Sequence, residues 1–131
     1  MISITTRAKG NLGEDIACKF LTGRGFVIRE RNYRKNWGEL DIIAERDGMI
    51  HFFEVKSASG SFGGGHKPED NVDDWKIMHI RRMVRTYFAE NEARNENGRG
   101  VEDEFQFHIL CVYMNEKTRL ARVKWLKNII L

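Results

Sequence analysis

The sequence predicts an α/β domain built on a mixed five-stranded sheet flanked by helices, in the order α-β-β-β-α-β-β. Three observations carry this. Two segments place apolar residues at helical spacing. Between them, two long β-prone runs meet at Asp47-Gly48, a strong short hairpin signal. A further pair of β-prone runs closes the chain. The 131 residues fit one domain, and no repeat or composition shift marks a second, so residues 1–131 are read as a single unit.

The first helix is read over Lys9–Thr22, where Leu12, Ile16, Ala17, Phe20 and Leu21 share one side, with Glu14 at the rim of that stripe and Gly23 and Gly25 as the stop. Phe26–Glu30 reads as a short strand, followed by the hairpin strands Gly38–Arg46 and Met49–Ser57. Residues 57–71 are Gly- and Ser-rich and form a loop. The second helix spans Val72–Glu90, capped by Asn71, with Val72, Trp75, His79, Met83 and Phe88 near one face. Residues 91–104 are polar and read as a surface loop. Phe105–Met114 and Arg119–Trp125 form the closing hairpin around residues 115–118.

Composition excludes several classes. The longest purely apolar stretch, Ile109–Met114, is far short of the roughly 20 residues that cross a bilayer, so no membrane partner is expected. Residues 1–10 lack an apolar h-region, so no secretory signal is predicted, and a cytoplasmic protein with two reduced thiols, Cys18 and Cys111, is expected. The four histidines have no ligand spacing with either cysteine, which argues against zinc. Lys and Arg number 22 against 19 Asp and Glu, for a net charge of +3. The basic residues cluster in three runs: Arg29, Arg31, Arg34 and Lys35; Lys76, Arg81, Arg82 and Arg85; and Lys117 through Lys127. Each run alone fits a solvated face; together they make a polyanionic partner plausible.

The hairpin turn sets the register. If Arg46 pairs with Met49, Asp41 faces Glu54 and Glu39 faces Lys56, with opposed side chains about 4.5–5.5 Å apart on one sheet face. Ile42, Ile43, Phe52, Phe53 and Val55 surround that position. Two carboxylates there repel by roughly 3 kcal/mol at an effective dielectric near 20, and both are costly to desolvate. A divalent cation compensates, since hard cations take converging carboxylate oxygens. The competing reading is a salt-bridged patch of Glu39, Asp41, Glu54 and Lys56 on a half-exposed sheet.

Gly38-Glu-Leu-Asp41 followed by Phe53-Glu-Val-Lys56 resembles the PD-(D/E)XK nuclease signature. Gly13-Glu14, Ala17, Leu21, Gly25-Phe26, Asn32, Arg34, Val72, Lys76 and the closing Val123–Asn128 are similar to the pattern of the YraN family, bacterial proteins regarded as endonucleases distantly similar to archaeal Holliday-junction resolvases. The resemblance covers nearly the whole chain. It implies a restriction-endonuclease-like fold, a Mg²⁺ (or Mn²⁺) cofactor and a DNA substrate, with branched DNA and a two-fold homodimer as further implications. It places the metal on Asp41 and Glu54, completes the signature with Lys56 and adds Glu14 as the helix glutamate. Ala58 stands where the family often carries a basic residue. Arg31, Arg34, Lys35 and Lys76 are the expected contacts to the DNA backbone. Two other functions stay open: a nucleic-acid-binding module with little or no nuclease activity, and a protein-interaction adaptor in DNA processing.

Overall fold

The computed structural model describes residues 2–3, 12–59, 74–91, 104–115 and 117–129. The elements are β1 (Ile2–Ser3), α1 (Leu12–Thr22), β2 (Val27–Lys35), β3 (Gly38–Arg46), β4 (Met49–Ser59), α2 (Asp74–Glu90), β5 (Phe105–Asn115) and β6 (Leu120–Leu126). The five expected strands and two helices appear in the expected order. A two-residue edge strand, β1, joins them, so the sheet order is β1-β6-β5-β4-β3-β2. Among the described strands only β4 and β5 run parallel, which makes the sheet mixed. The Asn71 cap and the loops over residues 60–73 and 92–103 lie outside the described residues.

The helices cover opposite faces. On one, Ile16, Ala17 and Leu21 of α1 pack with Phe26, Ile42, Ala44, Phe53, Leu110 and Val112. On the other, Ile80, Met83, Val84, Tyr87 and Phe88 of α2 pack with Leu40, Ile43, Phe52, Phe107 and Ile109. Each such side chain contributes about 1.5–3 kcal/mol by leaving water, so the central strands are held from both sides. The sequence reading put Trp75 and His79 on the buried face of α2. The structure turns that face toward Ile80, Met83, Val84 and Tyr87 and leaves Trp75 68% exposed. The i, i+3, i+4, i+7 set starting at Ile80 is the longer apolar stripe, and it wins the core.

Local chemistry fixes the hairpin turn and the C-terminal end of α1. Asp47 (φ 54°) and Gly48 (φ 77°) are both left-handed, as a type I′ turn requires. Phe26 N–H donates back to the Leu21 carbonyl at 3.1 Å across Gly25, itself at φ 86°. β2 continues five residues past the expected Glu30. It is an edge strand whose outward side chains are charged, so hydrophobic alternation does not report it.

At the far end of the sheet, His51 and His108 stack in the core with Nδ1 and Nε2 2.9 Å apart. Asn128 N–H donates to His108 Nδ1 at 2.9 Å. With Nδ1 accepting, a neutral His108 carries its proton on Nε2 and donates it to His51. Burial holds His108 down at about 3, helped by the neighbouring His51 and Arg46. Cys18 and Cys111 are not disulfide-bonded. No helix among the described residues is long and apolar enough to cross a membrane.

Candidate active site

The hairpin register follows the expected one from Arg46↔Met49 to Ile42↔Phe53, and there the ladder stops. Asp41 Oδ2 instead accepts the Val55 N–H at 2.7 Å. The carboxylate takes a backbone donor that the next ladder carbonyl would otherwise have taken, so β3 and β4 part at this point. On its other side Asp41 is also unpaired. Arg31↔Ile42 and Tyr33↔Leu40 bracket it, and the residue left over on β2 is Asn32, at φ 53°. A left-handed residue breaks the pleat, and Asn tolerates that conformation better than most. The face changes here as well: Leu40 packs under α2, whereas Ile42 packs under α1. The expected Glu39–Lys56 facing pair is not made as a ladder pair; Glu39 accepts instead from Arg34 at 3.2 Å.

Glu54 lies one residue beyond the last pair. Its Oε1 carries an ion pair with Lys76 of α2 and stands 3.4 Å from Lys56 Nζ. Its Oε2 is buried and has no hydrogen-bond partner among the described residues. Part of the compensation that the sequence assigns to a cation therefore comes from Lys76, which the sequence suggests as a DNA contact. Burial, then the neighbouring Glu54, Glu14 and Glu39 charges, push Asp41 up to about 6 against the opposing pull of the Val55 N–H. Burial, then the adjacent Lys76, lower Lys56 below the usual lysine range, while its bonds to Glu54 and Lys56 raise Lys76 despite burial.

Glu14 reaches this end of the sheet because Gly13 lets α1 approach β4. A Cβ at Gly13 would lie 1.9 Å from Ser57 Oγ and 3.1 Å from Ser57 Cβ. Turning the hydroxyl away relieves the first contact but not the second. Glu14 is buried, and its Oε1 accepts from Arg31 Nε at 3.0 Å, while Arg31 Nη2 donates to Asp15 at 2.7 Å. It is thus an ion-paired neighbour of the carboxylate pair. Among the described residues, no group of three or more His, Cys, Asp or Glu is gathered to hold a metal.

The donor set still fits one hard cation. Asp41 keeps a carboxylate whose charge is disfavoured where it stands, and Glu54 offers a buried oxygen to which nothing donates among the described residues. A divalent ion relieves both conditions at once.

The basic edge differs from expectation. Arg31 is bound to Glu14 and Asp15, Arg34 to Glu39, and Lys35 to Glu90. The charge of β2 is therefore largely balanced within the protein. Arg81, Arg82 and Arg85 are exposed along α2, beyond Lys76. Sequence reasoning missed Trp37, whose ring lies under the Arg82 guanidinium at 4.1 Å. Trp37, Trp75 and His79 line a hollow of about 170 Å³ that reaches Glu54.

A family model described as "Uncharacterised protein family UPF0102" matches residues 13–112. A UPF0102 protein of Campylobacter lari is 38% identical over 120 residues, covering 92% of this chain and 91% of the relative. One from Desulforamulus reducens is 35% identical over 133 residues, covering 97% and 98%. Among solved structures, an XisH family protein from Nostoc punctiforme aligns over 87% of this chain and 98% of its own, at 13% identity and a TM-score of 0.37. A repair endonuclease from Pyrococcus abyssi aligns over 86% and 42%, at 15% identity and a TM-score of 0.35. Both scores are too low to carry a functional inference.

Proposed function

This chain belongs to the uncharacterised protein family UPF0102, the YraN-type family its motifs resemble, and on that premise we propose that it is a divalent-cation-dependent DNA endonuclease of the PD-(D/E)XK kind. The observation that carries the reading is the parting of β3 and β4. Asp41, freed from the ladder, lies within electrostatic reach of Glu54 and is strained in its charge, while Glu54, beside Lys56, carries a buried oxygen without a partner among the described residues. A salt-bridged structural patch accounts for Glu54 Oε1 but leaves Oε2 and Asp41 unexplained.

Asp41 and Glu54 would hold Mg²⁺ or Mn²⁺. Such an ion, when bound, supplies a Lewis acid for the phosphate and a water of lowered pKa. The Val55 N–H fixes the Asp41 carboxylate in place, so no reorganisation is needed when substrate arrives. Lys56, whose Nζ stands 3.4 Å from Glu54 Oε1, would position the attacking water or stabilise the charge that develops on the phosphate, and Lys76, ion-paired to the same oxygen, would add a second ammonium beside it. The exposed arginines of α2 extend the cationic surface along the phosphate backbone.

The test is cleavage by the purified chain of linear, flapped and four-way DNA in Mg²⁺ or Mn²⁺, with EDTA as control. Cutting that needs the ion is expected, and a preference for the four-way substrate would support the branched-DNA specificity. Salt-dependent binding without cutting on any substrate rejects the nuclease reading in favour of a binding module. No DNA affinity at physiological salt favours an adaptor.

A further inference from the structure

The hollow beside Glu54 has features that phosphodiester hydrolysis alone does not need. It is lined by Trp37, Glu54, Trp75, Lys76, His79 and Met83, among others, and its volume of about 170 Å³ falls below the roughly 300–1,000 Å³ of sites for drug-sized ligands. It suits one ring rather than a whole cofactor. Its mouth carries a flat apolar surface. Trp75 is 68% exposed, and its ring centroid lies 3.9 Å from that of His79. His79 Nδ1–H donates to the Trp75 carbonyl at 2.9 Å, so the imidazole is oriented against the indole before any ligand arrives.

The lining also carries unfilled hydrogen-bonding capacity of both kinds. Among the described residues of the metal-free protein, Trp37 Nε1–H is buried with no acceptor, and Glu54 Oε2, the oxygen a cation would share, is buried with no donor. An apolar side chain would satisfy neither. A heterocycle with donors and acceptors on its edge suits both. Cationic groups flank the hollow: Lys76 lines it, and the Arg82 guanidinium covers the Trp37 ring at 4.1 Å.

We infer that this hollow is a nucleobase pocket, which receives one unpaired base of the strand whose phosphate lies at Asp41 and Glu54. The inference rests on the DNA-nuclease reading and narrows its substrate class to DNA with an extrahelical or single-stranded nucleotide at the point of cleavage. Glu54 belongs to both the pocket and the carboxylate pair, so base and phosphate are within one nucleotide of each other. The aromatic platform holds any base by its face, so the pocket selects for unpairing rather than for sequence.

The experiment is fluorescence anisotropy of the full chain in EDTA on three duplexes that differ at one position: fully paired, one bulged nucleotide, and the same bulge without its base. The base-bearing bulge is expected to bind about tenfold or more tighter than the abasic one, the scale of one base stacked on an aromatic side chain. Trp75→Ala should erase that difference while leaving affinity for the abasic duplex unchanged. Because Trp75 is exposed, the fold should survive, which a thermal melt checks. Trp37→Phe keeps the ring and should reduce the difference in part. A 2-aminopurine at the bulge should be quenched by the parent and not by Trp75→Ala. Equal affinity with and without the base, or an undiminished difference in Trp75→Ala, overturns the pocket. Metal-dependent cutting with no base preference would sink the pocket and leave the nuclease standing. Base preference with no cutting would do the reverse.

Discussion

Glu54→Gln should lower metal-dependent cleavage by at least about 10²-fold, the scale of losing one preorganised electrostatic contact. The substitution preserves size and removes one of the two charges that would hold the cation. Its effect on folding is small and of opposite sign to what two opposed carboxylates alone would give. Glu54 is ion-paired to Lys76 and stands 3.4 Å from Lys56, so the variant leaves two ammonium groups with less compensation. A slightly lower thermal midpoint is the expected result. Those same ammonium groups become available to phosphate, so DNA affinity in EDTA should hold or tighten. Measuring cleavage rate, thermal midpoint and EDTA affinity on one preparation separates the three effects. Cleavage equal to that of the parent would remove Glu54 from the mechanism.

Asp41→Asn should abolish cleavage to a similar degree and, unlike Glu54→Gln, make the metal-free protein more stable at neutral pH. Asp41 stands at about 6 in the folded chain, against an ordinary value of 3.8. A raised carboxyl pKa means that the folded state holds its proton more tightly than the unfolded chain does. Ionised Asp41 therefore costs stability above about pH 6, and the cost fades as pH falls from there toward the ordinary value. The shift sets an upper limit of about 3 kcal/mol, less whatever solvent screening removes. Asn keeps an oxygen for the Val55 N–H, so the parting of the strands is preserved. Thermal melts of parent and variant should differ by several degrees at pH 8 and converge near pH 4. A variant less stable than the parent at pH 8 would show that the carboxylate stabilises the fold and is not held there against its preference.

Much of this site is legible in the sequence because local chemistry sets it. Asp47-Gly48 dictates a turn that only left-handed residues make, and that turn fixes five consecutive pairs, down to Ile42↔Phe53. What lies beyond those pairs is decided by one side chain. Asp41 accepts Val55 N–H, and a pattern of apolar and polar letters has no symbol for a carboxylate that replaces a carbonyl. The partners of Glu54 and Glu14 are distant in the chain: Lys76 follows Glu54 across a whole loop, and Arg31 lies on a different element from Glu14. Such ion pairs need the packing of both helices before they exist. Trp75 and His79 misled for a different reason. With Met83 they form a regular i, i+4, i+8 stripe that looks like a core face, and only the competing stripe from Ile80 to Phe88 shows that it is not. Asn32 carried a weak signal: it is a residue that tolerates positive φ, placed inside a strand.

The central claim is that the parted strands place Asp41 and Glu54 so as to hold one divalent cation. Paramagnetic broadening of backbone amide resonances by substoichiometric Mn²⁺ tests it directly, because the effect registers even weak binding and needs neither DNA nor turnover. Broadening centred on Asp41, Glu54 and Val55 in the parent, and lost from that centre in Asp41→Asn and Glu54→Gln, is the predicted result. Broadening centred elsewhere on the protein, or unchanged in both variants, would contradict it.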